Sequence, residues 1–156
     1  MEWGFLPLML WGALTSILLL AGIEDARRRE IANWKNAAIA LLAPLYWWMA
    51  GYGWADIAWQ VGIALVIFAA FAAAFSFGWM GGGDVKMIGA LALWLPTQAL
   101  MFMLVLMSII GGVLTLIMML DHWRRKSPGT VETPYGVAIA MAAMLAFGEP
   151  LFNHFT

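Results

Sequence analysis

Residues 77–86 read Phe77-Gly78-Trp79-Met80-Gly81-Gly82-Gly83-Asp84-Val85-Lys86, a glycine-rich break between two strongly apolar segments. Three consecutive glycines permit backbone conformations that other residues avoid, and they let another chain approach closely. Ionisable side chains are rare in membrane-embedded sequence, and where they occur they usually have a function. We therefore interpret Asp84 as one half of a catalytic acid pair, and the other half has to lie elsewhere in the chain.

The composition indicates an integral membrane protein. Of 156 residues, 64% are apolar and only 11% are charged, whereas soluble domains carry about a quarter of charged residues. No segment is polar and long enough for a separate soluble domain, so residues 1–156 are predicted to form one membrane domain. The chain has no cysteine, which excludes disulfides, thiolate metal sites and a cysteine nucleophile. His122 and His154 lie in a loop and a tail, so we expect no cofactor and no metal centre, and we expect no nucleic-acid partner.

The fold class predicted is all-α, a polytopic bundle of six transmembrane helices embedded in membrane lipid. The predicted spans are about 3–23, 31–52, 57–77, 85–95, 99–120 and 133–148. The fourth apolar segment is only about 17 Å long as a helix. Either it continues through Pro96, or a short helix starting at Asp84 completes the crossing. We favour the second, because irregular backbone is tolerated where it lines a wet cavity.

The basic residues predict the orientation. The first apolar segment lacks the preceding positive charges of a signal peptide, so we expect it to be a retained span with its N-terminus outside. With six spans, every Lys and Arg falls in three connections on one side, which the positive-inside rule makes cytoplasmic. These residues are Arg27, Arg28, Arg29, Lys35, Lys86, Arg124, Arg125 and Lys126. Both termini are then outside.

This topology places Asp25 on the same membrane face as Asp84, at the end of the first helix. Two carboxyls held together cannot both ionise easily, so one pKa rises and the pair shares a proton. The ionised member can activate water while the protonated member polarises a carbonyl, as in aspartic proteases. Glu24 competes with Asp25 for this role, because neighbouring helix positions point about 100° apart.

Other interpretations of these residues remain open. Asp84 can simply cap the fourth helix. Asp25 can belong to a solvated cluster that the following arginines neutralise. Lys86 can be a snorkelling interfacial residue, or it can balance the charge of the site.

Three stretches resemble the type IV leader peptidase family, the prepilin peptidases, which are bacterial membrane aspartyl proteases. Gly81-Gly82-Gly83-Asp84-Val85-Lys86 matches the Gly-x-Gly-Asp-x-Lys block of that family. Asp25, followed by basic residues and Ile31-Ala32-Asn33, resembles the block of the first catalytic aspartate, which usually reads Ile-Pro-Asn; alanine at position 32 departs from it. Pro134-Tyr135-Gly136 resembles a stretch near the family's C-terminus.

The resemblance implies an aspartic endopeptidase that cuts the basic leader from prepilin-like proteins at the cytoplasmic face of the bacterial inner membrane. Its catalytic pair would be Asp25 and Asp84, with the residues of the three blocks in supporting roles: Gly81, Gly83, Lys86, Asn33, Pro134, Tyr135 and Gly136. The short first loop and the lack of cysteines resemble the minimal forms that serve Flp/Tad-type pili and protein secretion, so we do not expect methyl transfer. A homo-oligomer is compatible with the sequence.

Two other classes of function compete with this interpretation. A small ion- or proton-coupled transporter would have polar residues deep in several spans, whereas here the acids gather at one end. A non-enzymatic scaffold of a pilus or secretion complex would tolerate the loss of either aspartate.

Overall fold

The computed structural model describes residues 5–125 and 133–155, and within these ranges the regular structure is entirely α-helical. The helices are α1 (Phe5–Arg28), α2 (Asn33–Met49), α3 (Trp54–Ser76), α4 (Gly82–Ala92), α5 (Thr97–Arg125) and α6 (Tyr135–Phe155). The all-α prediction is therefore confirmed. Residues 3–4 of the first predicted span, and Lys126 of the basic set, lie outside the described residues.

Three helices of the described part are long and apolar enough to cross a membrane, namely α1, α3 and α5. Large apolar side chains are exposed on the outer faces of α3 and α5, for example Leu65 and Ile109, and also on the neighbouring helix α2, for example Leu41. Such faces are suited to lipid. The helix α2 has 17 residues, the lower limit of the usual length of a span, and α4 has 11, which is below that limit. Six crossings and the position of the termini remain predictions.

Helix α4 lies at the centre of the bundle. It packs against α2, α3 and α6, and most of its residues are buried. It begins at Gly82, three residues before the predicted span, and ends at Ala92. Pro96 therefore lies outside the helix, as expected for a residue that lacks an N–H and clashes with the preceding turn. The prediction of a short fourth helix is confirmed.

The buried C-terminal end of α4 obtains hydrogen bonds from side chains of other helices. Gln60 Nε2 donates to the carbonyls of Ala92 (2.7 Å) and Leu95 (2.6 Å). Trp47 Nε1 donates to the carbonyl of Leu93 at 2.8 Å. These bonds satisfy carbonyls that have no partner within the helix. Trp47 is therefore a core residue and only 7% exposed, although tryptophan near the end of an apolar segment is typical of a membrane interface.

Glycines allow α6 to approach its neighbours. A Cβ added at Gly111 would lie 2.7 Å from the Tyr135 ring, and one at Gly22 would lie 3.3 Å from Ala140 Cβ. Gly111 therefore allows close α5–α6 packing, whereas a Cβ at Gly112 would meet nothing within 4 Å in the described structure. Helix α6 thus packs between α1 and α5 and also touches α4.

Two predicted helix starts differ by a few residues. Helix α3 begins at Trp54, three residues before the predicted span; Gly53 is its N-cap, and the Gly53 N–H donates a hydrogen bond to Asp56 at 3.0 Å. Helix α6 begins at Tyr135, immediately after Pro134, whose carbonyl accepts a hydrogen bond from Val137 at 3.2 Å. Helix ends often differ by one or two residues between criteria.

Candidate active site

The site lies where the end of α1, the start of α4 and the start of α6 meet. Asp25 occupies the last turns of α1 and Asp84 the first turn of α4, and the two are only 5% and 9% exposed. Burial, together with the nearby charge of Asp25, raises the pKa of Asp84 to about 6. The two carboxyls are therefore close enough to influence each other's ionisation.

Helix α6 contributes backbone to the surroundings of Asp25. Burial raises the pKa of Asp25, and the backbone N–H groups of Val137 and Gly136, which face its carboxyl, act in the opposite direction. Within the described residues, the buried Oδ2 of Asp25 makes no hydrogen bond of standard geometry. A Cβ at position 136 would lie 2.9 Å from both Cγ and Oδ2 of Asp25. Only glycine leaves room for the carboxyl here.

Ile31, in the connection between α1 and α2, links the two acid-bearing segments. Its side chain is 8% exposed and packs between Gly83 and Gly136. A Cβ at Gly83 would lie 3.3 Å from Ile31 Cβ, and one at Gly136 would lie 2.7 Å from Ile31 Cδ1. The Ile31 side chain is thus where the three sequence blocks meet. Gly83 and Gly136, which have no side chain, leave the space that it occupies.

Asp84 also interacts with the N-terminus of its own helix. Gly81 is the N-cap of α4, and its backbone N–H faces the Asp84 carboxyl. This is the position from which an acid at the third helical residue caps a helix. A Cβ at Gly81 would lie 3.2 Å from Asp84 Oδ2. Asp84 therefore caps its own helix and also lies within the electrostatic influence of Asp25.

Hydrogen bonds join the glycine block to α2. Lys86 Nζ donates to Asn33 Oδ1 at 2.8 Å, and Asn36 Nδ2 donates to the Gly83 carbonyl at 3.1 Å. Lys86 is two positions after Asp84, about 200° around the helix. It therefore links α4 to α2 on the side away from the acid. Sequence reasoning missed Asn36; its spacing of three residues from Asn33 on one helix face was the available signal.

Glu24 faces a different direction from Asp25. Its Oε2 lies 2.6 Å from Lys35 Nζ and accepts a hydrogen bond from the Ala32 N–H at 3.1 Å. These contacts direct Glu24 towards α2, whereas Asp25 faces α6. The geometry therefore favours Asp25 over Glu24 as the partner of Asp84. Lys35 is buried, and sequence reasoning missed its contact with Glu24.

The Pro-Tyr-Gly stretch divides its contacts between α5 and the acids. The Tyr135 ring packs on Gly111, and next to it the hydroxyl oxygens of Thr115 and Thr133 lie 3.0 Å apart. Gly136 then reaches Asp25. In the described ranges, no three side chains among His, Cys, Asp and Glu come together as metal ligands.

Comparison with known proteins gives one match. The model of the type IV leader peptidase family matches residues 12–116, which include both aspartates and the glycine block but not Pro134-Tyr135-Gly136. No curated protein matches the chain, and no solved structure matches it. The family match covers well over half of the sequence. The chain belongs to the type IV leader peptidase family.

Proposed function

We propose that this protein is a membrane aspartic endopeptidase that removes the basic leader from prepilin-like proteins at the cytoplasmic face of the bacterial inner membrane. The observation that carries the proposal is the pair of buried acids, Asp25 and Asp84, on two helices of a leader-peptidase family member. A hydrolysis that relies on two carboxyls needs the two groups close enough for one to stay protonated while the other is ionised.

The surroundings suggest a role for each acid. Burial, followed by the charge of Asp25, raises the pKa of Asp84 to about 6, whereas the backbone N–H groups of Val137 and Gly136 oppose the rise in pKa that burial causes at Asp25. Asp25 would then take a proton from water, and Asp84 would donate a hydrogen bond to the scissile carbonyl. The water oxygen adds to the carbonyl carbon, the C–N bond breaks, and the leaving nitrogen receives a proton from the acid pair.

Access to the acids requires movement near Ile31. Both carboxyls are buried, and Ile31 packs between the glycines beside them. A substrate peptide in extended form would approach along Gly81, Gly82 and Gly83 once Ile31 has moved away from Gly83. The apolar helix that follows the leader would remain in the bilayer beside the bundle.

Cleavage of a prepilin-like substrate in membranes tests the proposal. Asp25→Asn and Asp84→Asn should each abolish leader removal while the protein still inserts and accumulates. Glu24→Gln should retain substantial activity, because the glutamine oxygen can still accept the hydrogen bonds from Ala32 and Lys35. Normal processing by either aspartate variant would refute the assignment of the pair, and an inactive Glu24→Gln beside an active Asp25→Asn would identify Glu24 as the acid.

A further inference from the structure

Lys35 is a buried lysine with two acceptors on another helix. It is only 7% exposed, and lysine is almost never buried unless it is paired. Its Nζ donates to Glu24 Oε2 at 2.6 Å and to the Leu20 carbonyl at 3.1 Å. Leu20 and Glu24 are one turn apart on α1. The side chain therefore connects the start of α2 to two successive turns of α1.

Glu24 extends this connection to the loop between the helices. The same Oε2 accepts a hydrogen bond from the Ala32 N–H, just before α2 begins. At the other end of the loop, the Arg29 N–H donates to the Asp25 carbonyl at 2.9 Å, with Arg29 in the left-handed region (φ 58°). Both ends of the loop that carries Ile31 are thereby fixed.

These contacts determine the direction of Asp25. Because Glu24 and Asp25 are neighbours on one continuous helix, holding Glu24 against α2 directs Asp25 about 100° away. That direction is towards α6, where Gly136 lies. Lys35 also neutralises Glu24, so the carboxylate next to Asp25 is ion-paired.

We propose that Glu24 and Lys35 are positioning residues of the active site. Their ion pair, the Glu24–Lys35 clamp, holds the end of α1 and the Ile31 loop so that the Asp25 carboxyl faces Asp84. This inference rests on the proposed function. The Ala32 N–H belongs to the clamp, and a proline at position 32 would not supply this donor.

Steady-state cleavage by purified enzyme in lipid vesicles tests the clamp. Lys35→Met retains the apolar stem and removes the ammonium group. We expect its kcat to fall about tenfold or more, with KM changed by less than about threefold, because the clamp acts on the reacting geometry and not on substrate binding. The pH profile of kcat should also shift, because the relative position of the two acids changes. Lys35→Arg should recover most of the lost rate.

Two further variants complete the design. The double variant Glu24→Gln/Lys35→Met leaves no unpaired buried charge, so it should fold even if Lys35→Met does not, and it should retain the loss in kcat. Arg27→Met removes an exposed cation from the same end of α1 and should stay within about twofold of the wild-type rate.

The outcomes separate the clamp from the proposed function. If the wild-type enzyme does not cleave the substrate, the proposed function fails. If it cleaves, and the folded double variant has the wild-type kcat and pH profile, the clamp is refuted. A raised KM with unchanged kcat also refutes it, because that result indicates a role in binding.

Discussion

Gly136 shows how a single residue without a side chain shapes this site. It brings the α6 backbone against the Asp25 carboxyl and Ile31, and the close distances leave no room for a methyl group. The acids lie near the N-terminal end of α4. At its C-terminal end, the buried side chains of Gln60 and Trp47 donate hydrogen bonds to backbone carbonyls. The positions of the acids and of the helices around them therefore depend on contacts that single residues make.

Gly136→Ala should strongly impair catalysis. The added methyl would force Asp25 or Ile31 to move, and displacements of about 1 Å at a reacting group can lower the rate about a hundredfold. We expect a loss in kcat of that order with the protein still inserted in the membrane. Gly112→Ala is the matched control, because a Cβ there meets nothing within 4 Å in the described structure. Equal activities of the two variants would contradict the proposed contact with Asp25.

The activity should depend on the protonation of Asp84. Its pKa of about 6 predicts that kcat/KM falls as the pH rises through that value, because Asp84 then loses the proton that it donates to the carbonyl. The folded state holds this proton more tightly than the unfolded chain, so ionisation also lowers folding stability as the pH rises from 3.8 to about 6. A rate profile measured between pH 5 and 8 that shows no decline would contradict the assigned role.

At the scale of elements, α4 organises the site because it is short and central. Its N-terminus presents Asp84 beside the α1–α2 connection, and its C-terminus is held by side chains from α2 and α3. Ile31 is the contact through which this connection reaches both α4 and α6. The position of the acids therefore depends on how three elements pack, not on either helix alone.

A disulfide can test the packing of the α1–α2 connection on α4. The chain has no cysteine, so Ile31→Cys/Gly83→Cys would carry the only two thiols. A Cβ at Gly83 lies 3.3 Å from Ile31 Cβ, close to the range of about 3.5–4.5 Å found in disulfides. We expect rapid intramolecular crosslinking under mild oxidation, detected by mass spectrometry after proteolysis. Failure to crosslink, with both thiols reactive towards a small maleimide, would contradict this packing.

At the scale of the whole molecule, the described part of the chain is an all-helical bundle with Asp25 and Asp84 at one end. Exposed tryptophans occur near both ends of the bundle, with Trp34 and Trp79 near the acids and Trp54 and Trp59 near the opposite connection. Tryptophan is enriched at both membrane interfaces. Such a distribution agrees with a bundle that crosses the bilayer, and it places the acids near one interface.

Single-cysteine labelling tests the predicted crossings. Arg28→Cys, Ala50→Cys and Arg125→Cys place a thiol at the exposed ends of α1, α2 and α5. With six crossings, a membrane-impermeant maleimide should label position 50 from outside, and positions 28 and 125 only after the membrane is opened. Labelling of positions 28 and 50 from the same side would mean that α2 does not cross.

Local sequence was sufficient to predict the helical class and the short fourth helix. Both predictions depend on residues that are close in sequence, namely the long apolar segments, Pro96 and the glycine-rich break. They could therefore be made without knowing how the helices pack. The sequence also indicated which residues could be catalytic, because acids are rare in apolar sequence. Asp25 follows the first predicted span, and Asp84 precedes the fourth.

Only the tertiary structure decided which side of each helix faces its neighbours. Membrane helices are apolar on nearly all sides, so periodicity does not distinguish the lipid face from the core face. For this reason Trp47 could not be recognised as buried, nor Glu24 as facing Lys35 while Asp25 faces Gly136. Those directions arise from close packing between residues far apart in the chain, and they determine where the two acids meet.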